Sequence, residues 1–447
     1  MIFLINLRFT AWPEMLSYPY LRNNGYLLYK DMIHPYPPLL TMILSVIFKI
    51  FGYKLIILKL FTWIIILSVD VLIFYIAKSL TKNVKYPVFA LIFYVIAQPF
   101  LDGNMLWFDL AIVPPILLGS YFLIRFLDQP THKASAVAAG LFFGVAALIK
   151  QTTGIFLLAG VLWLVLQKAE IKKIGYFILG PVILGITLAT RLITEGALGG
   201  FINWTVIYPF TFWGKFPDYV QMALSRHQLL ILSFLLVPTV VLLFKIHRSL
   251  IKDKHLILII LFLLLSFVLI YPRFSLFHLQ TGLAFAAIVF AVVASKMKIN
   301  YFLYALYFAL FTYLIVLPVI RSEWGRETRF WSEDEIKLSN FIKDVTKSSD
   351  FIYLQGLHSG LYVLSDRLPP KPWSDNFGWY LEIPGMQEEI LKRWDMNKPG
   401  YIIIQDALPG NWHDMGTYRP KKIADWINKN YFKKEEIQTG VWLWKEK

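Results

Sequence analysis

The chain has 447 residues, of which 57% are hydrophobic and 16% are charged, and it contains no cysteine. Soluble domains carry about 25% charged residues, so this is the composition of a membrane protein, and the lack of cysteine excludes disulfides, thiolate metal sites and cysteine nucleophiles. The formal net charge is +15; because the basic residues lie mostly at the ends of apolar blocks, this charge indicates membrane orientation and argues against nucleic acid as a partner.

The amino terminus is apolar but short. MIFLINLRFTAW, residues 1–12, is too short to cross a bilayer. The loop that follows is expected to face outward, which requires a span before it, so we expect the true start to lie upstream with about 15 to 20 further apolar residues. A short tilted or re-entrant segment is the alternative. A cleaved signal peptide is disfavoured because no small-residue cleavage site follows.

The first polar segment, residues 13–54, combines acids, a histidine and prolines. It contains Glu14, Asp31 and His34, and its prolines lead into the apolar stretch Pro37–Phe51. That stretch is predicted to be a helix that is too short to span and lies at the membrane interface.

Apolar blocks of helical length fill the chain up to residue 320. They predict a mainly α, polytopic transmembrane bundle of about 10–11 spans, counting a truncated first one. The blocks are Ile56–Ala77, Tyr86–Phe100, Leu110–Phe126, Ala134–Ile149, Gly154–Leu166, Ile174–Leu192, Leu229–Phe244, Leu256–Ile270, Gly282–Ala294 and Tyr301–Ile320.

The remaining residues, 321–447, have a different character. SEDEIKLSNFIKDVTK places apolar residues at helical spacing after a serine and an acidic first turn. DFIYLQG and GYIIIQD are typical of short buried strands, and GVWLWKEK is a third candidate. We therefore expect two domains: a transmembrane domain, 1–320, whose first outward loop 13–54 is catalytic, and an extracytoplasmic α/β domain, 321–447.

Lysine and arginine are concentrated in alternate loops, at 78–85, 125–133, 168–173, 245–254 and 296–298. Positive loops stay in the cytoplasm, so the other set of loops is expected to face outward. This set comprises 14–54, 101–109, 150–152, 194–228, 271–280 and the domain 321–447.

The outward loops hold ionisable residues that membrane insertion does not explain. Such groups are costly at membrane depth and usually face a cavity or a partner. Carboxylates and cations on one face of a bundle favour a site where one group takes a proton and others hold an anion. The ionisable candidates are Glu14, Asp31, His34, Tyr36, Asp109, Lys150, Arg273 and His278, and the polar residue Gln151 joins them.

Several candidates also have a structural interpretation. Lys150 and Arg273 can extend toward lipid headgroups, and Asp109 can cap the helix that follows it. Asp102, in LDGN, is more typical of a turn. Asp70 lies inside an apolar block, where a packing role is as good an explanation as a functional one.

Three segments in this order resemble the glycosyltransferase C superfamily, the multi-pass transferases that use lipid-phosphate sugars. They are NNGYLLYKDMIHPYPPLL, AGLFFGVAALIKQTTGIFLL and YPRFSLFHLQTGLAF. The resemblance covers roughly residues 10–295 and is to the protein O-mannosyltransferases and aminoarabinose transferases, glycosyltransferase families 39 and 83.

The resemblance implies a hexosyl- or pentosyltransferase of the cell membrane that acts on the cell-envelope glycans. It would move a sugar from a polyprenyl-phosphate donor to an extracytoplasmic glycan, lipid or protein, with inversion. The family often carries Asp-Glu in its first loop, whereas this chain has Pro13-Glu14, which leaves the base open between Glu14 and Asp31.

The same resemblance implies roles for the other candidates. Lys150, Arg273, His34 and His278 would bind the donor phosphate, and Asp109, Gln151 and Tyr36 would line the cavity. No cofactor is required, although some relatives bind a divalent metal and the carboxylates here permit one. Two alternatives remain: a ligase or polymerase that joins whole lipid-carried glycans, and a transporter or flippase. The second predicts inverted repeats, which the sequence does not show.

Overall fold

The computed structural model describes residues 1–250, 253–296, 301–410 and 416–447. The chain divides into two compact units. The helical unit comprises Met1–Phe9, Leu58–Leu188 and Gln221–Arg326. The mixed unit comprises Thr10–Ile57, Ala189–Val220 and Glu327–Lys447. Of the predicted positive loops, residues 251–252 and 297–298 lie outside the described part of the chain.

Each predicted apolar block is a helix in the structure, and the blocks' bounds are correct to within a few residues. The helices are Leu55–Thr81, Lys85–Ala97, Phe108–Ala111 continuing into Val113–Asp128, Lys133–Ile149, Gly154–Leu166, Ile171–Thr194, Arg226–Leu250, Lys254–Ser266, Gln280–Lys296, and Tyr301–Phe311, which a π-turn joins to Leu317–Glu323. A short helix, Ile2–Asn6, precedes them, and short 3₁₀ turns lie at Gln98–Phe100, Gln151–Thr153, Phe267–Ile270 and Leu276–Leu279.

Five helices among the described residues are long and apolar enough to cross a membrane. They are Leu55–Thr81, Phe108–Asp128, Ile171–Thr194, Leu276–Lys296 and Ala305–Glu323. Shorter apolar helices of 10–17 residues accompany them, so the polytopic helical bundle is confirmed. The number of spans stays a prediction.

Two neighbouring helices of the helical unit pack through glycine. A Cβ atom added at Gly140 would lie 1.7 Å from the carbonyl oxygen of Phe177, and one at Gly180 would lie 2.6 Å from the backbone nitrogen of Leu141. Small residues allow backbones to approach this closely, and such contacts are a main source of helix association in lipid.

The mixed unit contains a four-stranded sheet. Its strands are β1 (Ile352–Gln355), β2 (Tyr401–Gln405), β3 (Tyr431–Gln438) and β4 (Val441–Glu446), in the order β1-β2-β4-β3. β1 and β2 are parallel, and the other two pairs are antiparallel. The three predicted strands are β1, β2 and β4. Sequence reasoning missed β3, YFKKEEIQ, because most of its side chains are exposed and give no apolar run.

Helices of the mixed unit come from the first loop, the middle of the chain and the carboxyl-terminal part. They are Glu14–Asn23, Leu39–Phe51, Leu198–Ile202 continuing through a π-turn to Tyr208–Thr211, Glu333–Val345, Gly360–Ser365, Gly378–Leu381, Met386–Trp394 and Lys421–Asn430, with a 3₁₀ turn at Trp213–Lys215. Ser332 and Glu335 form a capping box at the start of the helix predicted from SEDEIKLSNFIKDVTK.

The core of the sheet is aromatic and aliphatic. Tyr353 of β1 and Ile402 of β2 pack with Trp394, Ile427 and Tyr431, all of them buried. This confirms the predicted α/β character of the carboxyl-terminal residues.

The two compact units do not follow the predicted domain boundary. Residues 10–57 and 189–220 group with the carboxyl-terminal residues and not with the helices between them. The predicted domains, 1–320 and 321–447, stay a prediction.

The helix Leu39–Phe51 leaves an apolar stripe exposed in the mixed unit. Val46 is 57% exposed, Ile50 67% and Phe51 56%, while Leu40, Leu44 and Phe48 are buried. A short helix with one buried and one exposed apolar side suits the predicted position at a membrane interface.

Candidate functional site

The helix Glu14–Asn23, here called the loop helix, carries the first candidate acid. The hydroxyl groups of Ser17 and Ser359 lie 3.0 Å apart. Tyr18 donates a hydrogen bond to Oδ2 of Asp375 at 3.1 Å, and side chains on this helix from Glu14 to Leu21 are buried. The first loop is therefore held by carboxyl-terminal residues more than 340 positions away in sequence.

Glu14 lies at the first position of the loop helix and is only 6% exposed. Its Oε2 atom is buried and has no hydrogen-bond partner among the described residues. Asp375, 4% exposed, is its acidic neighbour. Burial first, and the charge of Asp375 second, raise the pKa of Glu14 well above its ordinary value.

Asp31, the second candidate acid, has different surroundings. Its Oδ2 atom accepts hydrogen bonds from the backbone N–H of Leu27 and from Nζ of Lys371, each at 3.1 Å. The backbone N–H of Trp373 donates to the carbonyl of Asp31, and that of Ile33 donates to the carbonyl of Trp373, both at 2.9 Å. Asp31 thus closes a turn and holds residues 31–33 against 371–373.

His34 is fully buried and both of its ring nitrogens are engaged. Nδ1 lies 2.6 Å from the carbonyl oxygen of Tyr36, and Nε2 lies 2.8 Å from the hydroxyl of Thr41. Because a carbonyl only accepts, Nδ1 carries the proton and Nε2 accepts from Thr41. Burial lowers the pKa of His34 to about 4, so the ring is neutral at pH 7. Its predicted contact with phosphate would require one of these hydrogen bonds to be exchanged.

Tyr36 lies in the same loop. Its carbonyl accepts from His34 and also from the hydroxyl of Tyr29 at 2.6 Å. The prolines that follow lead directly into the helix Leu39–Phe51. This segment is therefore an ordered turn whose polar groups satisfy one another.

In the helical unit, three candidates from different loops converge. Asp109 lies in the first turn of the helix that follows Trp107, Lys150 directly follows the helix Lys133–Ile149, and His278 lies in the 3₁₀ turn Leu276–Leu279. Nζ of Lys150 donates to Oδ1 of Asp109 at 2.7 Å. Nδ1 of His278 lies 3.1 Å from the same oxygen.

The side chains of Asp109 and Lys150 are almost fully buried. Asp109 is 1% exposed and Lys150 is 7% exposed, and the Oδ2 atom of Asp109 has no hydrogen-bond partner within the described ranges. A buried carboxylate needs a cation, which Lys150 supplies. The group is consequently a buried ion pair with a histidine beside it. Lys150 does not extend toward solvent, which excludes the headgroup interpretation for this residue.

The last two candidates lie beside this group in the chain. Gln151 follows Lys150 in the 3₁₀ turn Gln151–Thr153. Arg273 precedes His278 by five positions, and its backbone N–H donates to the carbonyl of Ile270 at 3.1 Å. The backbone N–H of the neighbouring Phe274 donates to the carbonyl of Gln221 at 2.8 Å. This hydrogen bond joins the loop that contains Arg273 to the chain at residue 221.

Asp375 is the functional candidate that sequence reasoning missed. It lies in PPKPWSDNFGWY, where an acid is surrounded by prolines and aromatic residues. An acid in such an apolar segment indicates a buried carboxyl group, and this signal was available from the sequence. Its partner on the loop helix could not have been predicted, because 357 positions separate Tyr18 from Asp375.

The described residues do not gather a set of three or more His, Cys, Asp or Glu side chains that could hold a metal ion. Glu14 and Asp375 provide two carboxyl groups, and Mg²⁺ is usually bound by one or two carboxylates together with waters and substrate phosphates.

A family model described as dolichyl-phosphate-mannose-protein mannosyltransferase matches residues 34–193. The structure is similar to that of ArnT from Cupriavidus metallidurans bound to undecaprenyl phosphate, with a TM-score of 0.61 and 11% identity over 99% of this chain and 95% of that one. The family model thus matches part of the chain, and the chain has a fold similar to that of ArnT. It is also similar to the Archaeoglobus fulgidus oligosaccharyltransferase AglB in complex with an inhibitory peptide and a dolichol-phosphate. There the TM-score is 0.54 at 11% identity, covering 89% of this chain and 66% of that one.

The chain matches no curated protein by sequence. The stretch that the family model matches contains His34, Asp109 and Lys150, but it begins after Glu14 and Asp31. The multi-pass membrane fold predicted from the sequence is thus confirmed, and the family match over residues 34–193 agrees with the predicted resemblance to these transferases. The roles of the individual residues stay predictions.

Proposed function

We propose that the chain transfers a single sugar from a polyprenyl-phosphate donor to an acceptor outside the cytoplasm, with inversion at the anomeric carbon. The family description, a mannosyltransferase that uses dolichyl phosphate, supports a lipid-phosphate donor. The similar folds of ArnT bound to undecaprenyl phosphate and of AglB with a dolichol-phosphate support it as well. The acceptor class is a glycan, a lipid or a protein.

The observation that carries the proposal is the state of Glu14. It is a buried carboxyl group whose Oε2 atom has no hydrogen-bond partner among the described residues, and burial raises its pKa. A general base works best when its pKa lies near the operating pH, and enzymes raise glutamate pKa values for this purpose. The carboxylate of Asp31 instead accepts hydrogen bonds from Nζ of Lys371 and from the backbone N–H of Leu27.

The reaction needs few groups. The acceptor hydroxyl oxygen attacks the anomeric carbon from the side opposite the phosphate, while the bond from that carbon to the phosphate oxygen breaks and its electron pair stays on the phosphate. Glu14 takes the hydroxyl proton. Phosphate is a good leaving group, so no strong general acid is required. A single displacement inverts the anomeric configuration.

The departing phosphate carries negative charge that cations would stabilise. Arg273 presents a planar fork suited to phosphate, and Lys150 and His278 are proposed to assist. His34 is also proposed to bind the phosphate. To do so, its ring must give up a hydrogen bond to Tyr36 or to Thr41. We place the protein in the cell membrane, with the carboxyl-terminal residues on the outer side, because the positively charged loops favour the cytoplasm.

The test is a transfer assay with the full-length protein in nanodiscs. A radiolabelled polyprenyl-phosphate monosaccharide is supplied with extracted envelope glycans, lipids or proteins, and label in the acceptor is measured. Glu14→Gln keeps the shape of the side chain but cannot take the proton, so we expect turnover to fall by at least ~100-fold with donor binding little changed.

Asp31→Asn is the matched control in the same loop, and we expect it to retain most of the activity. Near-normal turnover by Glu14→Gln would refute Glu14 as the base. If only a donor that carries a whole glycan on its lipid is consumed, the protein is a ligase or polymerase. If the donor crosses the membrane without being consumed, it is a transporter or flippase.

A further inference from the structure

We propose that Asp375 pairs with Glu14 and that the two carboxyl groups share one proton, which makes Asp375 a positioning residue for the proton-accepting group. The catalytic consequence rests on the function proposed above. The pairing itself is a property of the resting protein.

The loop helix brings the two acids together. Glu14 and Tyr18 are four residues apart and therefore share one face of this helix. Tyr18 donates its hydroxyl to Oδ2 of Asp375 at 3.1 Å, and the contact is buried. Ser17 and Ser359, 3.0 Å apart, fix the neighbouring turn against the same carboxyl-terminal residues. Tyr18 therefore ties Asp375 to the helix face that carries Glu14.

Both carboxyl groups are withdrawn from water. Glu14 is 6% exposed and Asp375 is 4% exposed. Tyr18 occupies Oδ2 of Asp375, whereas Oε2 of Glu14 has no hydrogen-bond partner in the described part of the chain. An isolated ionised carboxylate is costly in such a place, and a carboxyl group without a partner is available to a proton.

Among the described residues, no cation contributes to the electrostatics of Glu14 or Asp375. The side chains that do interact electrostatically with the acids or with each other are Tyr18, Tyr36 and Tyr380. A tyrosine hydroxyl is neutral at pH 7, so these groups add no charge. The ring of His34 lies 4.8 Å from that of Tyr18 and is also neutral, because burial lowers its pKa to about 4.

One further charged pair lies near the start of the loop helix. His358 is adjacent to Gly360, which in turn faces Pro13. Nε2 of His358 lies 3.0 Å from Oε1 of Glu335, so any charge on this histidine is balanced by that glutamate.

Two carboxylates that share a buried site cannot both ionise easily, so one of them keeps its proton to a higher pH. Burial raises the pKa of both groups, and the charge of Asp375 raises that of Glu14 further. When both are ionised, Glu14 takes the proton of the acceptor hydroxyl, and that proton is then shared between the two carboxyl groups. Asp375 thereby increases the proton affinity of the base without touching the substrate.

The resting protein tests the pairing first. Infrared spectra of the full chain in nanodiscs are recorded against pH for the wild type, Glu14→Gln and Asp375→Asn. We expect a protonated carboxyl band at neutral pH that Glu14→Gln removes. In Asp375→Asn the band should disappear at a lower pH than in the wild type, because the neighbouring charge is gone.

A matched control exists on the same helix. Tyr20 donates to Oδ1 of Asp366 at 2.9 Å, a second contact between a tyrosine of the loop helix and a carboxyl-terminal aspartate. Asp366→Asn removes an equivalent acceptor without touching the pair, and asparagine tolerates the left-handed backbone that Asp366 adopts. Its spectra and its pH profile should match those of the wild type.

The activity profile is the second readout. Turnover should rise with pH as the pair loses its shared proton. Asp375→Asn should move this rise to lower pH by about one unit or more, since a pKa change of one unit is a typical effect of a neighbouring charge. Tyr18→Phe should move it to higher pH, because the carboxylate of Asp375 loses its hydrogen-bond donor. General loosening of the fold cannot shift the pH profile in opposite directions in the two variants. If Asp375→Asn does not fold, Tyr18→Phe serves as the test.

The outcomes separate the two proposals. If Glu14→Gln remains active while the infrared band behaves as expected, the pairing stands and the proposed base is wrong. If Glu14→Gln is inactive but Asp375→Asn and Tyr18→Phe change neither band nor profile, the base stands and the pairing is wrong. Loss of the band in the wild type on addition of Mg²⁺ or Mn²⁺ would mean that the two carboxylates bind a metal ion, which also overturns the shared proton.

Discussion

Single residues with the same chemistry have very different surroundings in this protein. Glu14 and Asp31 both lie in the first loop, and sequence alone left either as the base. Glu14 is buried with an unpartnered oxygen, whereas Asp31 is ion-paired with Lys371 and is 17% exposed at its side chain. The proton affinity of a carboxyl group depends on burial and on neighbouring charge, so only the structure distinguishes the two acids.

Lys150 has a structural role that its predicted role in phosphate binding did not include. Lys150→Met leaves the carboxylate of Asp109 buried without a cation, and breaking a buried pair in this way costs about 3–5 kcal/mol. The double variant Lys150→Met, Asp109→Asn leaves no unpaired charge and should recover most of that stability. Thermal unfolding of the two variants and the wild type in the same detergent measures the difference. Equal loss in the single and double variants would contradict this account.

The same double variant allows a clean test of phosphate binding. Because its fold is restored, any loss of affinity for free polyprenyl phosphate comes from the missing ammonium group. We expect a loss of about 1.5–3 kcal/mol, the range for hydrogen bonds to charged groups. Affinity equal to that of the wild type would leave Lys150 with only its structural role beside Asp109.

At the scale of helices, the close approach of Lys133–Ile149 to Ile171–Thr194 depends on glycine. The first of these helices contains the start of AGLFFGVAALIKQTTGIFLL, one of the segments that carry the predicted resemblance, and the structure supplies a physical reason for its first glycine. Gly140 faces the backbone of Phe177, and Gly180 faces the backbone of Leu141. Backbone atoms cannot rotate away as a side chain can, so the helices must separate if either glycine gains a side chain.

We therefore expect Gly140→Ala to destabilise the protein by about 1–3 kcal/mol, the usual cost of overpacking. Gly185→Ala is the matched control on the facing helix, because a Cβ atom there meets nothing within 4 Å. It should be neutral or slightly stabilising, since alanine favours a helix more than glycine does. Thermal unfolding in detergent compares the two variants, and equal melting temperatures would show that the contact at Gly140 relaxes freely.

At the scale of the whole molecule, the main prediction is the orientation of the chain across the membrane. The alternating lysine and arginine loops place residues 321–447 outside the cytoplasm. A reporter that fluoresces only in the cytoplasm should stay dark when it is fused at Lys447. The same reporter fused after Lys168, in a loop predicted to be cytoplasmic, should be bright. A bright signal at Lys447 would reverse the orientation and with it the proposed location of the acceptor.

The sequence by itself determined the membrane class, the helices and most of the strands. These features depend on local properties: the length of apolar runs, the helical spacing of SEDEIKLSNFIKDVTK, and the short buried runs of β1, β2 and β4. Exposed β3 was missed, because it becomes a strand through its pairing with β4 and not through an apolar pattern of its own.

Only the tertiary structure decided which polar residues meet. It brought Asp109, Lys150 and His278 together from three loops, and it placed Asp375 against Tyr18 of the loop helix, 357 positions away in sequence. It also showed that His34 is buried and neutral, which its place in a polar loop did not indicate. The physical reason is that hydrophobicity and helical period are properties of neighbouring residues. The protonation and availability of an ionisable group depend instead on burial and charge, which are set by residues from distant parts of the chain.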